Sequence, residues 1–301
     1  MQPEIEKSRQ RLLESSQPLD VEIRCSALQL LTNMRDRLAL RADADTESLN
    51  EIVHQTRVDS KRLRALWRLL KPGLKTTDYS RLERLSKGLA KPLASSRDAQ
   101  VMKETLDWVS ADLPPDVRQR LLPGLVQVLG HVTVNEPALL QVVQILLRLE
   151  QAIVAVDLSS MSKRHLHKGL KQTCRKGSSL AHEALQKHAM EPMHRWRKWV
   201  KLLLFQSGWL LDEIAPKWIS QVKALGSALG RLHDLDVLTV QMEEARACFW
   251  QEDLDQVSTG IKAVRLKALA EIDTLTDEIY AKRARKRRVF KTLCQPTSLI
   301  G

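Results

Sequence analysis

Hydrophobic residues recur at helical spacing along nearly the whole chain. Apolar positions lie three and four residues apart, and no segment shows the sustained alternation of a half-buried strand. Glycine, proline and aromatic residues are scarce, which also favours helices. The pattern therefore predicts an all-α fold with helices over residues 20–42, 47–71, 78–95, 98–111, 115–131, 136–156, 162–190, 192–207, 212–230, 234–250 and 253–288.

One pattern of histidine and cations occurs twice. H-x-x-R-x-x-x-K is formed by His54, Arg57 and Lys61 and again by His194, Arg197 and Lys201. About forty residues after each histidine come LASSRDAQVM (93–102) and LGRLHDLDVL (229–238), which align Asp98 with Asp234. A repeat of this length is too long for a solenoid unit, and short loops favour antiparallel helices. We predict two four-helix bundles packed about a pseudo-twofold axis.

The first copy lies on a helix whose cations share one face. At about 100° per residue, four of them fall within roughly 80° of His54, namely Arg57, Lys61, Arg64 and Arg68. The residues opposite are apolar and are expected to face the core: Leu63, Leu66, Trp67 and Leu70. Arg62 departs from this stripe.

The second copy is shorter. Three cations fall within about 100° of His194, namely Arg197, Lys198 and Lys201. The opposite side is expected to face the core and carries Trp196, Trp199, Val200 and Leu203. Beyond Lys201 the stripe stops, because Leu202, Leu204 and Phe205 stand where the first copy has cations.

A third stripe lies on the predicted helix 162–190. Its cations fall within about 60° of one another and of His182: Arg164, Lys168, Lys171 and Arg175. One such stripe is ordinarily a solvated face. Segments 54–91 and 161–201 together hold 22 Lys and Arg against five acids, however, and like charges one turn apart repel. Three stripes with so few acids predict a surface that binds anions.

The overall charge agrees with an anionic partner. The net charge is +12 and the pI about 9.7, which favours nucleic acid, a phosphate polymer or an acidic membrane surface. The segment KRARKRRVFK (282–291) adds seven cations and no acid. We find no catalytic motif and no metal-ligand spacing, and we predict neither an enzyme nor a cofactor or metal.

The chain is expected to remain in the cytoplasm. Its first twenty residues are polar and unlike a signal peptide. The longest apolar region, around 138–156, is interrupted by Gln, Arg and Glu, so we predict no membrane insertion.

The two His-centred repeats, the stretch after each of them and the basic segment LHKGLKQTCRKG together resemble the CHAD (conserved histidine α-helical domain) family. The resemblance spans roughly residues 19–290, with bundles at about 19–156 and 158–290, an N-terminal extension at 1–18 and a tail at 291–301. It implies two pseudo-symmetric four-helix bundles with a central basic surface or pore. It also implies non-enzymatic binding of inorganic polyphosphate, with a location on polyphosphate granules.

The resemblance assigns the binding to three groups of residues: His54, Arg57, Lys61, Arg64 and Arg68; His194, Arg197, Lys198 and Lys201; and Lys168, Lys171 and Arg175. The third stripe adds Arg164 to the predicted binding residues. Two departures weaken the match, since Leu202 and Leu204 stand where the family usually has a basic residue, and Ser95 and Ser96 precede Arg97 in place of a glycine-leucine pair.

Several alternatives stay open. His54 and His194 could be neutral, buried groups that orient arginines, or could donate to phosphate when protonated. Asp98 and Asp234 could cap helices or pair with an arginine, capping being favoured. Binding to the phosphates of duplex DNA is the first alternative function, and an enzyme or regulator of polyphosphate metabolism the second. Single-strand binding is disfavoured because the tryptophans are expected in the core. The sequence predicts no oligomeric state.

Overall fold

The computed structural model describes residues 17–93, 95–109, 114–121, 136–210, 216–244 and 246–281. Within these ranges the regular structure is helical and no strand occurs, so the all-α prediction is confirmed. The helices are α1 (Leu19–Ala39), α2 (Thr46–Leu70), α3 (Thr76–Ala90), α4 (Ser95–Val109), α5 (helical over 115–121), α6 (Glu136–Ala155), α7 (Lys163–Lys187), α8 (Met190–Leu210), α9 (Pro216–Glu244) and α10 (Gln251–Thr276). The predicted helical residues 94, 110–111, 122–131, 212–215, 245 and 282–288 lie outside the described ranges, as do residues 1–16 of the predicted N-terminal extension and the predicted tail 291–301.

Local sequence signals set several helix ends. Asp45 caps α2 by accepting a hydrogen bond from the Ser48 backbone N–H at 2.8 Å. α3 ends at Ala90, just before Pro92, which has no N–H to continue the helix. α7 is closed by His188, whose φ of 46° is the left-handed conformation common at helix C-termini.

α9 corrects the predicted boundary after residue 230. The helices predicted over 212–230 and 234–250 form one helix, Pro216–Glu244. Its counterparts in the first half, α3 and α4, are separated at Pro92, and no proline follows Pro216 within α9. Asp234 therefore lies inside a helix, and the prediction that it caps one is wrong. Asp98 lies in α4, which already begins at Ser95, and its side chain is outside the described part of the structure.

The helices of the first half contact one another in a ring. α1 packs on α2 and α6, and α3 packs on the same two helices. Buried Trp67 of α2 donates its indole N–H to Ser86 Oγ of α3 at 2.8 Å. Ser60 Oγ in turn donates to the Ser86 carbonyl at 2.7 Å. Because these buried polar groups find their partners in each other, they fix α3 against α2 in one register.

The helices of the second half pack in chain order, α7 on α8, α8 on α9 and α9 on α10. α2 joins the two halves, since it contacts both α7 and α8. Across the α2–α8 contact, buried Gln206 donates its side-chain N–H to the Ala65 carbonyl at 3.2 Å. One hydrophobic core consequently includes residues of both halves, among them Trp67 and the fully buried Trp196.

A second, smaller hydrophobic cluster joins α4, α5, α9 and α10. Arg120 supports it by donating to both oxygens of buried Asp253, at 2.9 and 2.7 Å. Arg265 of α10 likewise pairs with buried Asp236 of α9. The C-terminal part of α9 therefore packs in this smaller cluster, where Arg265 links it to α10.

α6 is the one described helix that is long and apolar enough to cross a membrane, judged by length and composition alone. The sequence interpretation did not expect such a helix. In the structure, α6 packs on α1 and α3 and contributes a buried face to the main core through Leu139, Val142, Leu146, Leu149, Ala152 and Ile153.

The close approach of α7 to α2 gives a test of the fold. A Cβ at Gly169 would lie 2.0 Å from the Leu69 carbonyl oxygen, a backbone atom that cannot move aside alone. We expect Gly169→Ala to lower the free energy of unfolding by about 1–3 kcal/mol, as overpacked cores do. Gly208→Ala on α8 is the control, because nothing lies within 4 Å of its added Cβ, and it should gain roughly 0.5–1 kcal/mol from helix propensity. Urea unfolding that ranks the two variants equally would contradict the packing described.

Candidate functional site

A cavity of about 460 Å³ lies between α2, α3 and α8. Two helices supply its basic residues, which are Lys61, Arg64 and Arg68 from α2 and His194, Arg197, Lys198 and Lys201 from α8. The remaining lining residues are Tyr79 and Glu83 from α3 and Trp199, Leu202 and Phe205 from α8. The two copies of the internal repeat therefore meet at one cavity.

The apolar faces behind the basic rows are largely as predicted. On α2, the four residues expected in the core are at most 1% exposed: Leu63, Leu66, Trp67 and Leu70. On α8, three of the four are also buried: Trp196, Val200 and Leu203. Because close-packed side chains hold these faces in the core, neither helix can rotate its cations away from the cavity.

Lys61 lies where the two basic rows converge. It is exposed by surface area, yet protein atoms around its ammonium group desolvate it and lower its pKa to about 8. Positive charges on both helices add to this effect, in the order Arg57, Arg197, Lys201 and Arg64. The cavity is thus a region of positive potential to which α2 and α8 both contribute.

α3 supplies partners for the arginines of α2. Arg64 donates to Glu83 Oε1 through Nε at 2.9 Å and lies 2.8 Å from it through Nη2. Arg68 Nη1 donates to the Tyr79 hydroxyl at 3.1 Å, and its guanidinium lies 4.7 Å from the centre of the Trp199 ring. These contacts orient both guanidinium groups before any ligand arrives. Tyr79 and Glu83 were missed from the sequence, although their spacing places them on one face of the helix that directly follows α2.

His194 is paired with a second histidine, His233 of α9. Their ring centres are 4.3 Å apart, and Nδ1 of each ring is buried without a hydrogen-bond partner. Burial lowers the pKa of His233 to about 4, with further lowering by Arg197, His194 and Lys198. Burial also lowers the pKa of His194, as do Lys198 and Arg197, against a smaller opposing effect of Glu191. Both rings are therefore neutral near pH 7 in the free protein. This favours the alternative in which His194 is a neutral group that orients an arginine over the one in which a protonated His194 donates to phosphate.

Aromatic residues contribute to the cavity, contrary to the sequence interpretation. Trp199 was assigned to the core face of α8, but it is half-buried and lines the cavity together with Phe205. The cavity lies where three helices meet, so its wall includes residues at the edge of the α8 core face. The core assignment holds for Trp67, Trp196 and Trp209, each at most 5% exposed, and is wrong for Trp108 and Trp250, which are exposed.

Several predicted binding residues do not line this cavity. Arg57 donates instead to the Leu93 carbonyl, and His54 lies one turn before it. Four exposed residues of α7 also lie outside the lining: Arg164, Lys168, Lys171 and Arg175. Their role in binding stays a prediction. Arg62, excluded from the stripe, pairs at 2.9 Å with buried Asp59.

Among the described residues, no group of three or more His, Cys, Asp and Glu side chains is placed to hold a metal ion. In the part of the chain that the structure describes, the regular structure is helical, and basic residues from both halves line a common cavity. The sequence model of the CHAD domain matches residues 29–243, more than half of the chain. The chain belongs to the CHAD domain family. No curated protein and no solved structure matches it.

The histidine pair predicts that the folded state loses stability in acid. Folding lowers the pKa of His233 from 6.5 to about 4, so between these values the unfolded chain binds more protons and stability falls as the pH falls. The slope is at most about 1.4 kcal/mol per pH unit for each histidine. His233→Asn keeps a polar group that takes up no proton. We expect its loss of thermal stability between pH 7.5 and pH 5 to be smaller than that of the wild type; equal losses would contradict the assignment.

Proposed function

We propose that this protein binds inorganic polyphosphate without acting on it. The observation that carries the proposal is the convergence of seven basic residues, from both halves of the repeat, on one cavity. Membership of the CHAD family supports it. On this proposal the two halves are the family's pseudo-symmetric four-helix bundles, and the cavity lies at the central basic surface between them.

The side chains at the cavity suit a phosphate chain. Arginine offers a planar fork that can bind two phosphate oxygens, whereas lysine offers a mobile point charge. Each charge-assisted hydrogen bond contributes roughly 1.5–3 kcal/mol, less the free energy needed to order its partners. Because Glu83 and Tyr79 already orient Arg64 and Arg68, less ordering is required on binding.

The bound anion also relieves repulsion within the protein. In the free protein, positive neighbours oppose the charge on Lys61. Negative phosphates beside Lys61 and His194 would raise the pKa of both groups, so binding takes up protons. Polyphosphate affinity should accordingly be greater at pH 6 than at pH 9.

The exposed α7 row extends the proposed surface for longer chains. α7 packs on both α2 and α8, the two helices that supply the basic residues of the cavity. Its exposed cations include Arg164 and Arg175. In this scheme the cavity holds a short stretch of the polymer tightly, and the α7 row adds salt-sensitive attraction for the rest.

A binding role accounts for the carboxylate at the cavity. Glu83 accepts from Arg64 and so acts as a counter-ion that positions an anion-binding group. A general base would instead need to reach a reacting proton with its pKa tuned for the transfer. In a cell that stores polyphosphate, the proposed binding would place the protein on the granules.

Two double variants of equal charge test the proposal. Arg197→Ala/Lys201→Ala changes the cavity, and Arg164→Ala/Arg175→Ala changes the α7 row. We expect the cavity variant to lower the affinity for short-chain polyphosphate about tenfold or more. The α7 variant should leave the affinity for short chains nearly unchanged and lower the affinity for long chains, and its long-chain affinity should depend less steeply on salt. Affinities are measured by fluorescence anisotropy, with circular dichroism as the control for folding.

Two further arms address the alternatives. Unlabelled duplex DNA that competes as well as polyphosphate per charge would favour the nucleic-acid function. Chain shortening or phosphate release, with or without Mg²⁺, would show an enzyme. Equal short-chain affinity of the wild type and the cavity variant would contradict the proposal.

A further inference from the structure

The cavity wall has a cationic part and an aromatic, apolar part. Lys61 belongs to the cationic part, and the charges of Arg197 and Lys201 act on it. In the aromatic part, Arg68 is held by Tyr79 and stacks on Trp199. Leu202 and Phe205 also line the cavity, three and six residues beyond Trp199 on α8. An inorganic phosphate chain has no apolar group that could pack against this aromatic part.

One oxygen of Glu83 is a second feature that inorganic polyphosphate leaves unused. Its Oε1 accepts from Arg64, whereas its Oε2 is buried and has no hydrogen-bond partner. Buried acceptors are normally satisfied. Phosphate oxygens at neutral pH are themselves acceptors and carry negative charge, so they cannot satisfy a carboxylate. A ligand that brings a hydroxyl or amino group beside its phosphates can do so.

We propose that the cavity also binds nucleoside triphosphates. The phosphates would contact Lys61, Arg197 and Lys201, and the base would pack against Trp199 and Phe205. A hydroxyl or amino group of the nucleoside would donate to Glu83. The phosphate contacts in this inference rest on the proposed function. The apolar wall and the carboxylate are the observations that call for a ligand with an organic part.

Size and chemistry agree with this ligand class. A volume of about 460 Å³ falls within the range of cavities that hold organic ligands of drug size. Such cavities are mostly apolar with a few placed polar groups, as is the part of the wall formed by Trp199, Leu202 and Phe205. Aromatic side chains bind bases by stacking with little preference for which base, so ATP and GTP should bind similarly.

The test compares ATP with inorganic tripolyphosphate, which has the same number of phosphates and no nucleoside. Titration calorimetry at physiological salt, without Mg²⁺, is carried out on the full chain. We expect ATP to bind about tenfold more tightly than tripolyphosphate to the wild type. Phe205→Ala should remove most of that difference while leaving tripolyphosphate nearly unchanged, and its binding of tripolyphosphate shows that the variant is folded.

A second variant tests the carboxylate. Glu83→Gln keeps a side-chain oxygen that can accept from Arg64 and removes a negative charge that repels phosphate, so tripolyphosphate should bind more tightly. ATP should gain less, because the acceptor for the nucleoside is weakened, and the ratio of the two affinities should fall.

The outcomes separate this inference from the proposed function. If ATP and tripolyphosphate bind the wild type equally and Phe205→Ala changes neither, the nucleotide site is overturned and polyphosphate binding stands. If ATP binds while tripolyphosphate and long polyphosphate do not, the nucleotide site is supported and the polyphosphate function is overturned. Failure of all three ligands to bind overturns both.

Discussion

The packing of α2 against α8 is the constraint on which the site depends. Each helix presents an apolar face to the shared core and a basic face to the cavity, and Gln206 and Ala65 link the two by a buried hydrogen bond. Burial of side chains such as Trp67 and Trp196 stabilises the fold by roughly 1.5–3 kcal/mol each. This burial holds together cations that would otherwise separate. Burial lowers the pKa of Lys61, and the positive charges of both helices lower it further, so their repulsion remains in the folded protein.

Within this frame, neighbouring helices determine how each cation is used. α3 orients Arg64 and Arg68 through Glu83 and Tyr79, whereas the Leu93 carbonyl engages Arg57. α9 places His233 against His194 and keeps both rings neutral. The result is a cavity lined by a cationic row, an aromatic wall and a carboxylate. The proposed polyphosphate binding makes no use of the aromatic wall, and for this reason that wall carries a separate inference.

Much of the site could be predicted from one sequence, because helical periodicity fixes which side chains share a face. That rule placed Leu63 and Leu66 in the core and Lys61 and Arg197 at the site, and it excluded Arg62. It could not supply Glu83, since a stripe on one helix does not reveal which residues of the next helix face it. It misplaced Trp199, because dividing a helix into a core face and a basic face does not describe a residue that lies at the boundary between the core and the cavity. Asp234, aligned with Asp98, was expected to cap a helix, but α9 has no proline where the first half is interrupted at Pro92 and continues through Asp234.

The most direct test of the account is the pKa of the Lys61 amine, free and with bound polyphosphate. It can be measured by competitive labelling with an amine reagent over a range of pH, with mass spectrometry to identify the modified lysine. If cations from both helices surround this amine and a bound anion offsets their repulsion, the free protein gives a pKa of about 8. Polyphosphate then raises this pKa and protects the amine from the reagent. An ordinary lysine pKa in the free protein, or one that polyphosphate leaves unchanged, would contradict a shared anion-binding cavity between α2 and α8.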